Sequence, residues 1–362
     1  MRGPANGVWR DIAARFDLAG RVADVRPYGS GLINTTLLIE TDAGDRAILQ
    51  RLNRRVFPRP ELIQANLRTL HDHLGEQGGT DPAVLKLPLI ISTRDGDDYL
   101  VDAEGEVWRA LAFIDSARSF GAIEDDAHAR ETGRALGCFH AMLSTLDPRQ
   151  LHDTLPGFHV TPGYLANFDT VLAGFDGHGE EATLRVLLDF VAERRVMAGV
   201  LEDARRAGLL GERVIHGDPK LDNVLFDVAS GRALALIDLD TVKPGLIHYD
   251  LGDCLRSTCN RAGEAGEETV EFDLALCRSV LSGYLAEARA FLTETDIAYL
   301  FDAIRLLPFE LGLRFLTDHL AGDVYFHVSE PGENLRRAQV QFRLVESIER
   351  QESAIRSLCG AG

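Results

Sequence analysis

Cysteine is scarce in this chain. The five residues Cys138, Cys254, Cys259, Cys277 and Cys359 are odd in number and form no CxxC pair. That excludes a disulfide framework or a zinc site and leaves them as small core residues. Long apolar runs are also lacking. Arg10, Asp11 and Arg15 interrupt the first apolar stretch, so neither a leader peptide nor a membrane span is expected, and the expected location is the cytoplasm. Basic residues are outnumbered, 38 against 56 acidic, for a net charge of −18. Binding to nucleic acid or an anionic membrane needs clustered Lys and Arg, so both are excluded as partners. No internal repeat or low-complexity tract is present. What remains is 362 residues, 45% of them hydrophobic, which is ample for a packed core.

The pattern of elements divides the chain. Residues 8–18 carry helical spacing at Val8, Ile12 and Phe16. Residues 22–52 read as three strands with turns at Gly29-Ser30-Gly31 and Asp42-Ala43-Gly44-Asp45. A helix is expected from about Pro60 through Leu74, and three further strands before residue 114, with a hairpin turn at Ala103-Glu104-Gly105. Beyond residue 125 long helices are expected at 126–144, 181–208, 267–291, 294–320 and 333–357. The tail from Cys359 is expected to fray. The fold class this implies is α+β and bilobal, like a protein kinase. Its N-lobe, residues 1–114, is a small antiparallel sheet with one helix. Its C-lobe, residues 115–362, is larger and mainly helical.

The strongest motif lies between the late helices. Residues 214–226 read VIHGDPKLDNVLF, and 233–240 read ALALIDLD. Apolar strands flank a polar turn in which His216, Asp218 and Asn223 fall at H-x-D-x-x-x-x-N spacing, with Asp238 twenty residues after Asp218. Asp, Asn, Gly and Pro dominate ordinary turns as well, but four polar positions at one set of offsets, between strands in the required order, outweigh that explanation. The chemistry accounts for the residue types. Phosphoryl transfer needs a carboxylate to take the proton of an attacking hydroxyl, here Asp218. It also needs hard oxygen ligands for Mg2+ on ATP, here Asn223 and Asp238. Asp240 is open as a second metal ligand. Asp250 reads as a helix N-cap, with Asp253 in the third helical position, both structural.

Other parts of such a site can be placed with less support. Gly29, Ser30 and Gly31 lie where a phosphate-covering loop belongs, although a plain hairpin turn explains them too. Asn34 follows as a possible contact to phosphate or acceptor. The third strand offers Gln50 and Arg51 where a lysine is expected. Only one can face the cleft, and Arg51 is favoured because guanidinium binds phosphate bidentately. Glu61 is the candidate ion-pair partner for it. The absence of a long activation segment argues against a protein substrate and for a small-molecule acceptor. Arg314, Asp318 and Tyr325 stand in an otherwise apolar helix end and are candidates for the acceptor site, a salt bridge between Arg314 and Asp318 being the alternative.

At these residues the chain resembles the aminoglycoside phosphotransferase and choline kinase superfamily over nearly its whole length. A closer likeness, to N-acetylhexosamine 1-kinases, rests on GSGLINTT, ILQRLN, IDLDTVKPGL and ELGLRFLTDHLAGDVYF. The resemblance implies ATP-dependent transfer to the anomeric hydroxyl of an N-acetylhexosamine, with Arg314 to Tyr325 near the sugar. Leu32 departs from the pattern, in which a histidine is expected. Other acceptors (choline, an aminoglycoside, another sugar) and a nucleotide-binding pseudokinase are the alternative readings. The intact Asp218, Asn223 and Asp238 argue against the pseudokinase.

Overall fold

Alternating apolar residues shape the first half of the chain. A computed structural model describes residues 4–29, 33–76, 85–175, 177, 182–263 and 270–360. Strands β1 (Val22–Pro27), β2 (Thr35–Thr41) and β3 (Arg46–Leu52) pair antiparallel. Leu37, Ile39, Ala47 and Leu49 share one face and are buried with Ile12, Ala13 and Phe16, where helix α1 (Pro4–Ala13) and the turn after it lie. The first helix thus ends sooner than its periodicity suggests, because the chain turns so that Phe16 can bridge to Thr93. Helix α2 (Glu61–Glu76) buries Ile63, Leu67, Leu70 and Leu74 in a second cluster with Leu52 and Val107, which face the other side of the sheet. Strands β4 (Ile90–Ile91), β5 (Leu100–Val101) and β6 (Val107–Ala112) complete a sheet of order β1-β2-β3-β6-β4, with β5 also on β6. In the β3–β6 register Gln50 lies opposite Arg109, and Arg51 opposite Trp108.

The second half is mainly helical. Strand β7 (Ala117–Arg118) leads to α3 (Asp126–Met142), whose N-cap Asp125 accepts the His128 amide. Helix α4 (Thr161–Ala173) was not expected; its apolar spacing at Leu165, Phe168 and Leu172 spans only two turns. The expected 181–208 helix is α5 (Ala182–Arg194), a 3-10 turn and α6 (Val200–Arg206). Strands β8 (Arg213–Ile215), β9 (Val224–Asp227), β10 (Ala233–Leu236) and β11 (Lys243–Gly245) carry the HGDPKLDN and IDLD residues in their loops. Helices α7 (Ile247–Thr258), α8 (Leu274–Ala288), α9 (Glu294–Ala298), α10 (Leu300–Leu320), α11 (Glu333–Arg350) and α12 (Glu352–Gly360) follow. Single-residue breaks at Tyr299 and Gln351 divide two of the expected helices. A one-residue break barely shifts apolar periodicity, so the pattern cannot reveal it. The tail is helical through Gly360 with Cys359 buried, which corrects the expectation of fraying.

Helices α3 and α8 touch backbone to backbone. A Cβ on Gly133 would lie 2.0 Å from the Val280 carbonyl, and one on Gly283 2.0 Å from the Arg130 carbonyl. The lobes meet through specific hydrogen bonds. Asn66 of α2 donates to the carbonyls of His152 and Val242, both at 2.9 Å, and accepts the His152 amide at 2.8 Å. Lys86, ahead of β4, pairs in parallel with β10 at Ala235.

Candidate active site

Strand β8 delivers His216, Gly217 and Asp218 into a tight turn. Gly217 has φ +86, and a Cβ there would meet the Thr241 carbonyl at 2.6 Å, so only glycine fits. The Asp250 carboxylate fixes the turn by accepting the amides of His216 at 2.6 Å and Gly217 at 2.8 Å. It also meets His140 Nε2 at 2.9 Å, while His140 Nδ1 meets the Tyr284 hydroxyl at 3.0 Å. Asp250 is therefore not the expected helix N-cap. Helix α7 begins at Ile247, and Asp250 turns inward to anchor the loop. Asp253 pairs with Arg256 one turn on.

Two histidines brace the same turn. Burial holds the His216 pKa below its ordinary value. The ring is neutral, with the proton on Nε2, because its partner there is the Ile237 carbonyl at 3.0 Å, which can only accept. His159 Nε2 donates to the Gly217 carbonyl at 2.8 Å, and its Nδ1 meets Glu310 Oε1 at 2.9 Å. Burial opposes a charge on His159, but Glu310 outweighs it and the pKa is raised. With acceptors on both sides, the charged form of the ring is favoured.

Asp218 is half-buried. Its Oδ2 accepts from Lys220 Nζ at 2.8 Å and from Asn223 Nδ2 at 3.3 Å. Burial raises its pKa and Lys220 pulls the other way, with a net rise. Burial works against the Lys220 charge in turn, but Asp218 and Asp238 hold the ammonium above its usual range. Asn223 Nδ2 also donates to the Asp218 carbonyl at 2.8 Å. That leaves the Asn223 amide oxygen without a protein partner among the described residues.

Asp238 has φ 63 and ψ 56, the left-handed region that non-glycine residues rarely enter. The residue is exposed. Partial desolvation by the surrounding protein, with Asp240 and Asp218 close by, pushes its pKa up to about 7. The donor set suits a hard divalent cation: a free amide oxygen and a carboxylate held at a cost in charge repulsion. Among the described residues no three His, Cys, Asp or Glu side chains converge on a metal position. Magnesium needs no such cage, because it keeps one or two protein ligands and completes its shell with water and phosphate.

Several expected residues sit elsewhere than the sequence suggests. Arg51 points outward, over the Trp108 ring at 5.9 Å and 4.0 Å from Glu106. Gln50 takes the inner face instead, which corrects the choice between them: β3 places odd-numbered side chains on the α1 side. Glu61 pairs with Arg59 at 3.0 Å and not with Arg51, because the first turn of α2 lies at the surface. The α2 residue that reaches inward is Gln64. The missed cation is Arg109, only 2% exposed. It donates to Gln50 Oε1 at 2.9 and 2.7 Å, to Gln64 Oε1 at 3.4 Å and to Asp240 Oδ1 at 2.5 Å. A lone charge in the apolar run VWRALAF was the available signal. Asn34 donates to Asp240 Oδ2 at 2.7 Å and accepts the Asn53 amide at 3.0 Å. Gly29 has φ +74, as a tight turn requires, while Ser30, Gly31 and Leu32 lie outside the described residues.

The expected acceptor residues divide in role. The Asp318 carboxylate is filled by the amides of Val324 at 3.0 Å, Tyr325 at 2.8 Å and Phe326 at 2.9 Å, and by Asn334 Nδ2 at 2.9 Å. It forms no bridge to Arg314 and has no free oxygen to offer a ligand; it folds the 322–326 loop. Tyr325 is 61% exposed and packs edge-on to Phe326. Among the described residues Arg314 has no hydrogen bond or ion pair. Its guanidinium sits among the rings of Phe158, Tyr164 and Phe326 at 5.4, 5.1 and 5.4 Å. One helical turn before it, Glu310 holds His159 and through it the turn at Asp218.

A strand-rich N-lobe over a helical C-lobe, with an HGD turn and a facing carboxylate between them, is the protein-kinase-like architecture. Residues 24–291 match the model of the phosphotransferase enzyme family, and the chain belongs to that family. It is similar in fold to an aminoglycoside phosphotransferase from Alicyclobacillus acidocaldarius at TM-score 0.66 and 16% identity, covering 95% of this chain and 96% of that one. A microcompartment-associated aminopropanol kinase superposes at TM-score 0.60 and 16% identity, over 96% and 98% of the two chains. An amicoumacin kinase in complex with AMP-PNP and Ca2+ superposes at TM-score 0.62 and 14% identity, over 95% and 93%. No helix among the described residues is long and apolar enough to cross a membrane.

Proposed function

We propose that this chain is an ATP-dependent small-molecule kinase that phosphorylates a sugar hydroxyl, the anomeric 1-OH of an N-acetylhexosamine. The observation that carries the kinase reading is the Asp218 carboxylate, held by Lys220 and Asn223 beside Asp238. Asp218 accepts the acceptor's proton and aligns its oxygen; burial raises its pKa, which strengthens it as a base. Asn223 and Asp238 would hold Mg2+, which supplies charge neutralisation on the triphosphate. Lys220 keeps Asp218 oriented and offsets the negative charge that gathers as phosphate arrives.

The acceptor reading rests on Arg314. Its aromatic frame could cage a cation, but the protein's own guanidinium already fills it. A quaternary ammonium or polycationic acceptor would meet a like charge there. A neutral acceptor with hydroxyl and amide oxygens would find a donor fork with no partner among the described residues, and the exposed Tyr325 next to Phe326 of its frame. ATP consumption across a panel of N-acetylhexosamines, choline and aminoglycosides tests this, with phosphorus–proton coupling at the anomeric carbon to fix the position. Turnover confined to N-acetylhexosamines with phosphate on the 1-OH is the expected result. Faster turnover of choline, or phosphate on the 6-OH, overturns the acceptor assignment.

A further inference from the structure

Asp238 stands in a backbone conformation that its own side chain disfavours, so its neighbours must hold it there. On the upstream side the fasteners belong to the catalytic loop. The Ile237 amide donates to the Asn223 carbonyl at 2.9 Å, and the Ile237 carbonyl accepts from His216 at 3.0 Å. On the downstream side Thr241 Oγ1 donates to the His216 carbonyl at 2.8 Å, and Thr154 Oγ1 donates to the Asp240 carbonyl at 2.7 Å. The Asp240 carboxylate is different: both its oxygens are held from the other lobe, by Arg109 at 2.5 Å and Asn34 at 2.7 Å.

We propose that Arg109 is a positioning residue. Acting through Asp240, it holds Asp238 where it serves the metal–nucleotide site, and it ties that site to the N-lobe sheet. The inference rests on the kinase reading above. Arg109 cannot itself bind phosphate as it stands. Arg109 and Asp240 are each 2% exposed in their side chains, and every other partner of Arg109 is a neutral amide, Gln50 or Gln64. Among the described residues Asp240 is the single carboxylate it meets. Asp240 is equally committed, each of its oxygens already bonded to the N-lobe. A buried ion pair is weak evidence for stability, since desolvation offsets much of the attraction. Its value here is geometric: a planar fork from β6 fixes the carboxylate two residues after the metal ligand. Residues that orient a ligand from behind typically alter metal affinity about 10–100-fold when removed.

The test uses the full chain and two direct binding readouts: Mn2+ titration by electron paramagnetic resonance, and calorimetry with Mg2+ and AMP-PNP. The double variant Arg109→Met with Asp240→Leu replaces the pair by apolar side chains of similar bulk, a change that commonly leaves stability intact. It should melt near the wild type yet bind Mn2+ and AMP-PNP about 10–100-fold more weakly. A folded double variant with wild-type affinity for both overturns the inference. Should that variant not fold, Arg109→Lys keeps the charge but loses the planar guanidinium that reaches Gln50, Gln64 and Asp240 at once. It should bind several-fold more weakly, and unchanged affinity again overturns the inference. Absence of binding by the wild-type chain would overturn the kinase reading along with it. Wild-type binding with unimpaired variants would overturn this inference alone.

Discussion

The HGD turn and the surroundings of Arg314 are built in opposite ways. At the HGD turn the bracing groups are partnered, and the Asn223 amide oxygen and the Asp238 carboxylate are left open among the described residues. Asp250 takes two amides and a histidine, His159 joins Glu310 to the Gly217 carbonyl, and Arg109 clamps Asp240. At the proposed acceptor end the Arg314 guanidinium has no hydrogen bond or ion pair among the described residues, and Tyr325 is exposed. Saturated networks hold one geometry, and that geometry suits chemistry common to every acceptor. Unspent hydrogen-bonding capacity is where a particular acceptor can be chosen. Substitutions at the first end should therefore damage rate or fold, and those at the second should alter acceptor affinity alone.

The largest effect is expected at Asp218. Asp218→Asn should lower kcat by about 10²–10⁴ while leaving nucleotide binding, measured by calorimetry, largely intact. A variant with near wild-type kcat removes Asp218 as the base. Next comes Asp250→Ala, which strips two buried amides and His140 of their shared acceptor. A stability loss of roughly 3 kcal/mol in denaturant unfolding is expected, and a loss below about 1 kcal/mol would show that the turn is held without it.

Arg314→Ala probes the other end. It should raise KM for the acceptor about 10–100-fold, with KM for ATP and the melting temperature nearly unchanged, because no ion pair is broken. Equal effects on both KM values would erase the distinction between the two ends.

The His159–Glu310 pair carries a pH signature. The folded pKa of His159 is raised above the unfolded one. Its stabilisation is thus complete below about pH 6.5, the ordinary histidine value, and is lost as pH rises through the folded pKa. His159→Gln should flatten that part of the stability–pH curve by a few degrees in Tm. An unchanged curve would mean that another group carries the dependence.

The smallest effect separates the faces of β3. Arg51→Ala, on the outer face, should change stability by no more than about 0.5 kcal/mol and leave KM for ATP alone. Gln50→Ala, which removes two hydrogen bonds from Arg109, should raise that KM. The reverse ranking would place the cleft on the α1 side of the sheet.

Much of this was legible in the chain. The motif HGDPKLDN and the carboxylates of IDLD lie within 25 residues of one another, and local spacing is enough to place Asp218, Asn223 and Asp238 in one loop system. Period-two alternation likewise delivered the N-lobe strands. The sequence could not say which of Gln50 and Arg51 turns inward. Alternation fixes only that they oppose each other, and the choice depends on which face α1 covers. It could not pair Arg109 with Asp240 across 131 positions, nor Glu310 with His159 across 151. Asp318 and Arg314 looked like partners on one helix face; the loop folding back over Asp318 claimed its carboxylate, and the rings around Arg314 left it free. By itself the sequence determined the chemistry available, because reactive groups and their local spacing are covalent facts. The tertiary structure decided which groups are spent on holding the site and which remain for a ligand, because burial and partnering depend on contacts between distant parts of the chain.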